Sequence, residues 1–244
     1  MSERVVGLIP VLNEVDTVED VINSVLATGC VHQMLVVDDG STDGTLTKLK
    51  TTRDKFPSVD VVVRSDQKGF GTAMLFGFAE ALRRYRFDRL VELDGDMSHD
   101  PATIPGLLGV QADLVIGSRY TKGGRIINWP LSRRLISLLA NSTARRMLGI
   151  PARDVTSGFR VYSRRLLETI VREAACGGYE FLVETAWLAS ERNFSVAEVP
   201  IVFLERGQGQ SKLRTGAEAW KFLRFVLTKA VQRFRAALTS TATT

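Results

Sequence analysis

Five short apolar runs in the first 118 residues, with helix-like stretches between them, restrict this chain to an α/β architecture. The runs are Val5 to Ile9, Met34 to Val37, Val59 to Val63, Leu90 to Leu93 and Leu114 to Ile116. Each is of strand length and rich in residues that pack well on a pleated surface. Asp16, with Glu19 three residues on, has the spacing of a capping box. It opens a helix with Val18, Val21, Ile22, Val25 and Leu26 on one face. A second helix follows Asp43, and a third runs from about Gly71 to Arg84 with Met74, Phe78, Ala81 and Leu82 inward. Strands joined by helical crossovers pair in parallel, so the expectation is a mostly parallel sheet with helices on both sides. Ligands of such sheets gather at the carboxyl ends of the strands.

The second half reads as more helical. Helices are expected at Leu131 to Met147, Arg164 to Ala174, Glu180 to Arg192 and Ala217 to Leu238, with a strand pair around Val196 to Leu204 broken by Pro200. With 244 residues, 45% of them hydrophobic, the chain suits one α/β core. No linker separates the halves, so a single domain over residues 1–238 is expected, divided at 118/119, with a disordered tail over 239–244. Cys30 and Cys176 match no metal or redox spacing and read as reduced thiols, which points to a reducing compartment. The N-terminus lacks a long apolar signal core, and no run of about 18 apolar residues occurs. The expectation is therefore a cytoplasmic protein whose membrane contact, if any, is peripheral.

Charge is distributed unevenly. Residues 119–146 hold seven Lys/Arg and no acid, and residues 206–244 hold eight against the single acid Glu218. This pattern suits an anionic partner or a solvated basic face. Trp129 precedes Pro130 and a helix with Leu131, Leu135, Leu138 and Leu139 set against Arg133, Arg134, Arg145 and Arg146. It reads equally as an interfacial element or as a core helix with a solvated rim. The last helix repeats the theme with Trp220, Leu223, Leu227, Val231 and Phe234 among Lys221, Arg224, Lys229, Arg233 and Arg235. A membrane surface or a membrane-anchored partner subunit is the expected neighbour there.

Two acidic clusters fall at strand ends: Asp38-Asp39-Gly40-Ser41 and Asp94-Gly95-Asp96. Asp94 and Asp96 would share a face in extended chain. Hard oxygen donors so placed suit Mg²⁺ or Mn²⁺ shared with substrate phosphates. Lys68-Gly69-Phe70-Gly71-Thr72 opens a helix, and its amides serve either a nucleotide or a tight turn. A dinucleotide fingerprint is incomplete because Met74 holds its last place. His32 and His99 have no second ligand at metal spacing and read as structural or exposed. Asp154 reads as a cap on the Thr156-Ser157-Gly158 turn or as a general base.

These residues resemble the inverting family 2 glycosyltransferases of GT-A type, and among them the dolichyl or polyprenyl phosphate mannose synthases. The match begins at Ile9-Pro10-Val11-Leu12-Asn13-Glu14 and continues through Val37-Asp38-Asp39-Gly40-Ser41-Thr42-Asp43-Gly44-Thr45, the glycine segment, and Leu93-Asp94-Gly95-Asp96-Met97-Ser98-His99-Asp100-Pro101. It goes on with Gly117-Ser118-Arg119-Tyr120, Asp154 to Arg160, Gly178-Tyr179-Glu180-Phe181, Val199 to Phe203 and Arg206 to Leu213. Order and spacing hold over roughly residues 5–230. The chain has Gly95 where the family often has Ala, and Leu12 where it often has an aromatic.

The resemblance implies a nucleotide-sugar-binding half up to residue 118 and an acceptor half beyond it. It implies that Pro10, Leu12, Glu14 and Asp39 line the base and ribose pocket. Asp94 and Asp96, with Ser98, would bind the metal that bridges the diphosphate next to Gly95. Arg119, Arg206 and Lys212 would clamp phosphates, and Arg119, Ser132 and Arg133 would receive the acceptor phosphate. Asp94, Asp96 and Arg119 would carry the chemistry. Substrates implied are GDP-mannose and a polyprenyl or dolichyl phosphate, with no nucleic acid. An acceptor phosphate is already anionic near neutrality, so no strong base is required. Two alternatives stand beside this reading: a UDP-glucose-dependent transferase to the same lipid class, and a non-catalytic module for anionic surfaces.

Overall fold

A computed structural model describes residues 3–65, 69–205 and 215–241. Strands β1 (Val5–Val11), β2 (Gln33–Asp38), β3 (Val59–Val63), β4 (Arg89–Glu92) and β5 (Leu114–Ser118) occupy the five apolar runs. Helices α1 (Val18–Ala27), α2 (Thr45–Lys55) and α3 (Phe70–Arg84) fill the crossovers among the first four. A 3-10 turn (Pro101–Thr103) and a short α4 (Ile104–Leu108), neither expected, lead into β5. The second half adds β6 (Arg125–Ile127), α5 (Leu131–Leu148), β7 (Arg160–Ser163), α6 (Arg164–Glu173), α7 (Phe181–Glu191), β8 (Val196–Pro200), β9 (Val202–Leu204) and α8 (Thr215–Thr241). Helix α8 thus continues past Leu238, and residues 242–244 lie outside the described residues.

The main sheet has the order β3-β2-β1-β4-β7-β5-β8 and is parallel except for β7. Alternate residues of each strand feed opposite faces. Val6 and Leu8 enter a core with Phe78, Tyr162, Leu166 and Phe181, beneath α3, α6 and α7. Val5, Ile9 and Val11 enter a second core with Ile22, Leu49, Ile104 and Phe159, beneath α1, α2 and α4.

Three expectations are corrected. The Asp16–Glu19 capping box does not form: α1 starts after Thr17, whose side chain makes no cap bond, and the Glu14 carbonyl accepts from Thr17 N and Val18 N. Glu19 is drawn instead to Lys55 at 2.7 Å. The strands flanking Pro200 are not a pair. Strand β8 joins β5 at the sheet edge, where a proline costs no ladder bond, and β9 pairs in parallel with β6 in a separate two-stranded sheet. Asp94 and Asp96 lie in a turn beyond β4, not on extended chain.

Insertion of β7 puts Arg160 opposite Glu92 in register. Arg160 is fully buried and donates to Ser157 O, Leu182 O, Thr185 Oγ1 and Val155 O. Tyr162 donates to Glu92 Oε2 at 2.5 Å. Burial pushes the Glu92 carboxyl up to about 7, against the opposing pull of Arg160 and the Tyr162 hydrogen bond. A carboxyl raised in this way keeps its proton in the folded state where the unfolded chain has lost it. Its contribution is complete below the ordinary value of 4.5 and is lost as pH rises through about 7. Glu92→Gln, neutral throughout, should therefore gain on wild type between about pH 5 and pH 8, by on the order of 3 kcal/mol. Urea denaturation at the two pH values measures this; a constant difference would show that Glu92 does not titrate in that window.

Candidate active site

Strand β1 lies between β2 and β4, so its carboxyl end sits between two acidic strand ends. Val11 is level with Asp38, and Asp39 N donates to Val11 O at 2.9 Å. Asp38 is buried, with Oδ1 accepting from Ser41 N at 2.8 Å. The loop after β1 is tied to the loop after β2. Asn13 N donates to Ser41 Oγ, Thr42 N to Asn13 Oδ1, and Glu14 N to Thr45 Oγ1. Pro10, Leu12, Glu14 and Asp39 thereby stand at the paired carboxyl ends of β1 and β2, the first three partly exposed.

Asp39 is held by an arginine that sequence reading missed. Arg64 Nη1 lies 3.1 Å from Asp39 Oδ1, with both side chains buried, and Gly69 N donates to Asp39 Oδ2 at 3.0 Å. The available signal was position: Arg64 directly follows an apolar run, where a strand-end residue meets the ligand edge. The glycine segment settles as a close approach rather than an anion cradle. Gly71 N and Thr72 N both donate to Gly177 O, and a Cβ on Gly71 would come within 2.4 Å of Cys176 O. Lys68 lies outside the described residues.

The turn after β4 is anchored from both sides. Gly95 O accepts from Thr17 Oγ1 at 2.8 Å, and Asp96 Oδ1 accepts from Ser98 N at 2.9 Å. Met97 takes φ 61°, the left-handed region, to reverse the chain. A Cβ at Gly95 would lie 2.9 Å from Val11 Cγ1, so alanine there requires Val11 to shift. Asp94 remains one-third exposed. Ser98 is buried, and its carbonyl accepts from Leu204 N at 3.1 Å. His99 is buried beside these acids, with Nδ1 3.7 Å from Asp94 Oδ2. Burial pushes its imidazole below the ordinary value, with Asp96 opposing and Arg119 assisting.

No group of three or more His, Cys, Asp and Glu gathers as a self-sufficient ion cage among the described residues. Two partly exposed carboxylates on one turn nonetheless fit an ion that shares its coordination with phosphates, as Mg²⁺ commonly does.

Opposite this turn, Arg119 and Asp154 form a buried pair. Arg119 Nε donates to Asp154 Oδ2 at 2.8 Å, Nη2 to Oδ1 at 2.7 Å, and the Arg119 amide to Oδ2 at 2.9 Å. Nη2 also donates to Thr156 Oγ1. Arg119 is 7% exposed, so of the guanidinium expected to clamp phosphate these bonds leave Nη1. Burial alone would raise the Asp154 pKa, but the charge and hydrogen bonds of Arg119 outweigh it and lower the carboxyl below its ordinary value. With its oxygens taken, Asp154 is poorly placed as a general base.

The Arg119 guanidinium also lies 5.3 Å from the Trp129 ring and 5.5 Å from those of Tyr120 and Phe203. Arg133 stacks on Trp129 at 4.3 Å and pairs with Glu205. Ser132 is exposed on the first turn of α5. Arg119 and Arg133 therefore meet on one indole. Arg206 and Lys212 lie outside the described residues.

Asp154→Ala should leave Arg119 as a buried unpaired charge and cost about 3–5 kcal/mol. Adding Arg119→Met should recover much of that loss. Denaturation of both variants decides it, since simple additivity would contradict the pairing.

The family model described as Glycosyl transferase family 2 matches residues 8–171. A polyprenol monophosphomannose synthase of Mycolicibacterium smegmatis is 41% identical over 223 residues, covering 87% of this chain and 82% of its own. An undecaprenyl-phosphate mannosyltransferase of Micrococcus luteus is 39% identical, covering 87% and 88%. A dolichol-phosphate mannosyltransferase of Pyrococcus furiosus is 34% identical over 91% of this chain and 62% of its own. Among solved structures, glucosyl-3-phosphoglycerate synthase from Mycobacterium tuberculosis, with Mn²⁺, UDP and phosphoglyceric acid, superposes with a TM-score of 0.72. Its identity is 21%, covering 93% of this chain and 78% of its own. At that identity the likeness speaks for the fold, which is the GT-A architecture. On the extent of the family match and of these relatives, the chain belongs to glycosyl transferase family 2.

Proposed function

We propose that this protein transfers mannose from GDP-mannose to a polyprenyl phosphate, with inversion at the anomeric carbon. The observation that carries the reading is the identity of 39–41% to two polyprenyl phosphate mannosyltransferases across 87% of the chain. The geometry supports it. The strand ends that carry Pro10, Leu12, Glu14 and Asp39 would take the nucleoside, with Arg64 holding the Asp39 carboxylate in place. Asp94 and Asp96, with Ser98 behind them, would hold Mg²⁺ or Mn²⁺. The ion would supply neutralisation of charge on the departing diphosphate.

On the other side, Arg133 and the Nη1 of Arg119 would receive the acceptor phosphate, with Ser132 beside them. A phosphate monoester brings its own negative oxygen to the anomeric carbon. This accords with Asp154 being occupied by Arg119 and with no need for it as a base. Arg206 and Lys212 are assigned to the phosphates on the resemblance alone.

The acceptor is a lipid, and α5 and α8 offer a surface for reaching it. Leu131, Leu135, Ile136, Leu138 and Leu139 on α5 are exposed, as are Trp220, Leu223, Leu227, Val231 and Phe234 on α8. Among the described residues no helix is long and apolar enough to cross a membrane. The proposed arrangement is peripheral binding to the membrane that carries the lipid, on its cytosolic face.

Purified protein with polyprenyl phosphate in detergent and Mn²⁺ should form lipid-linked mannose from GDP-mannose. EDTA or Asp96→Ala should lower the rate at least ~100-fold, the scale of losing electrostatic stabilisation of a leaving group. Product from UDP-glucose instead would replace the donor, and undiminished activity of Asp96→Ala would overturn the cation assignment. Leu135→Glu with Leu139→Glu should weaken co-sedimentation with anionic vesicles roughly tenfold or more. Unchanged sedimentation would remove α5 from the membrane surface.

A further inference from the structure

His99 carries no role in the reading above, yet its surroundings are unusual for a side chain that only fills space. Its ring is 3% exposed and packs against Phe159 at 5.2 Å and Phe203 at 5.4 Å. A phenylalanine would suit that slot without burying polar atoms. Nδ1 instead is buried with no hydrogen-bond partner and faces Asp94 Oδ2 at 3.7 Å. Buried polar atoms are almost always satisfied, so an unsatisfied one next to a functional carboxylate calls for an explanation.

We infer that His99 is a positioning residue for Asp94: its Nδ1–H donates to Asp94 Oδ2 once the carboxylate turns to take a divalent cation. The inference rests on the cation reading of Asp94 and Asp96. At 3.7 Å the approach is longer than a hydrogen bond, and bonds of this kind commonly tighten only when the ligand binds. The imidazole packs against two aromatic rings, and the Asp94 side chain is one-third exposed. Gly158 keeps space open beside it: a Cβ there would lie 3.5 Å from Oδ1 and 3.6 Å from Oδ2. The carboxylate therefore has room to turn.

The same residue joins the two sides of the site. His99 bridges Phe203 in β9 through the backbone, and Leu204 N donates to Ser98 O. Phe203 in turn packs edge-on to Trp129 at 5.5 Å. His99 is thus braced against the aromatic platform that carries Arg119 and Arg133, and its hydrogen bond would extend that support to Asp94.

The test compares His99→Asn, which keeps a side-chain donor, with His99→Leu, which does not, in the full chain. Mn²⁺ affinity is read by electron paramagnetic resonance with GDP present, and folding by thermal melting. His99→Leu should raise the Mn²⁺ Kd about 10- to 100-fold, the usual loss on removing an outer-shell partner. His99→Asn should recover most of it. Equal affinities in the two variants, or wild-type affinity in both, would overturn the assignment. Asp94→Asn separates the two layers of argument. If it binds Mn²⁺ like wild type, the cation reading fails and this inference with it; if it loses Mn²⁺ while His99→Leu does not, only the role of His99 fails.

Discussion

The buried pair between Arg119 and Asp154 is the contact on which the arrangement of this molecule turns. Arg119 leaves the carboxyl end of β5, and Asp154 lies in the segment between α5 and β7. Asp154 N donates in turn to Glu198 of β8. The bidentate ion pair and this bond together tie the end of β5 and strand β8 to the segment that leads into β7. The geometry of the ion pair is of the strong kind, two parallel charge-assisted bonds with a third from the backbone. Burial sharpens it, because the pair has few competing water contacts. The guanidinium then serves as a hub for the rings of Tyr120, Trp129 and Phe203, which come from three separate segments. A lysine would keep the charge but lose both the fork and the flat face.

The sheet order explains why the acids and the cations face each other. With β1 between β2 and β4, the loops carrying Glu14, Asp39 and Asp94 open on one edge. Strand β7 then reverses direction and separates β4 from β5. That insertion places Arg119 two strands from Asp94 and leaves Gly158 beside the carboxylate. The Arg119 guanidinium still feels the Asp94 charge, which favours its protonated form.

Much of this was legible in the sequence, and the parts that were not share a physical reason. The five runs from Val5 to Ile116 became strands because their apolar alternation feeds two cores, a local pattern that periodicity reports. Pro10, Leu12, Glu14, Asp39, Asp94 and Asp96 stand at or just beyond the carboxyl ends of the neighbouring strands β1, β2 and β4, because parallel strands end on the same edge. Strand β7 was missed because Arg160 interrupts its apolar character; that arginine is tolerated only through four acceptors supplied from Val155, Ser157, Leu182 and Thr185. Glu19 misled for a similar reason, since its partner Lys55 comes from a different helix. Arg64 and the union of Arg119 with Asp154 depend on partners 25 and 35 positions away, and spacing along the chain carries no trace of either.

A reaction between a nucleoside diphosphate sugar and a lipid phosphate must bring two anions close together, and the charge layout of the proposed site answers that requirement in two different ways. On the proposed donor side Asp94 and Asp96 would repel a diphosphate unless a cation stood between them. On the proposed acceptor side the charges are Arg119 and Arg133, but Asp154 consumes most of one and Glu205 pairs with the other. In the free protein both arginines of the proposed phosphate site thus carry a carboxylate partner. Charge neutralised by an internal carboxylate holds its arginine in a defined place at a low cost in self-repulsion. An arriving phosphate would then compete with Glu205 for Arg133, a partly exposed residue, and leave the buried Arg119 framework intact. The exchangeable pair lies at the rim and the permanent one beneath it, so binding can rearrange charge without unmaking the fold.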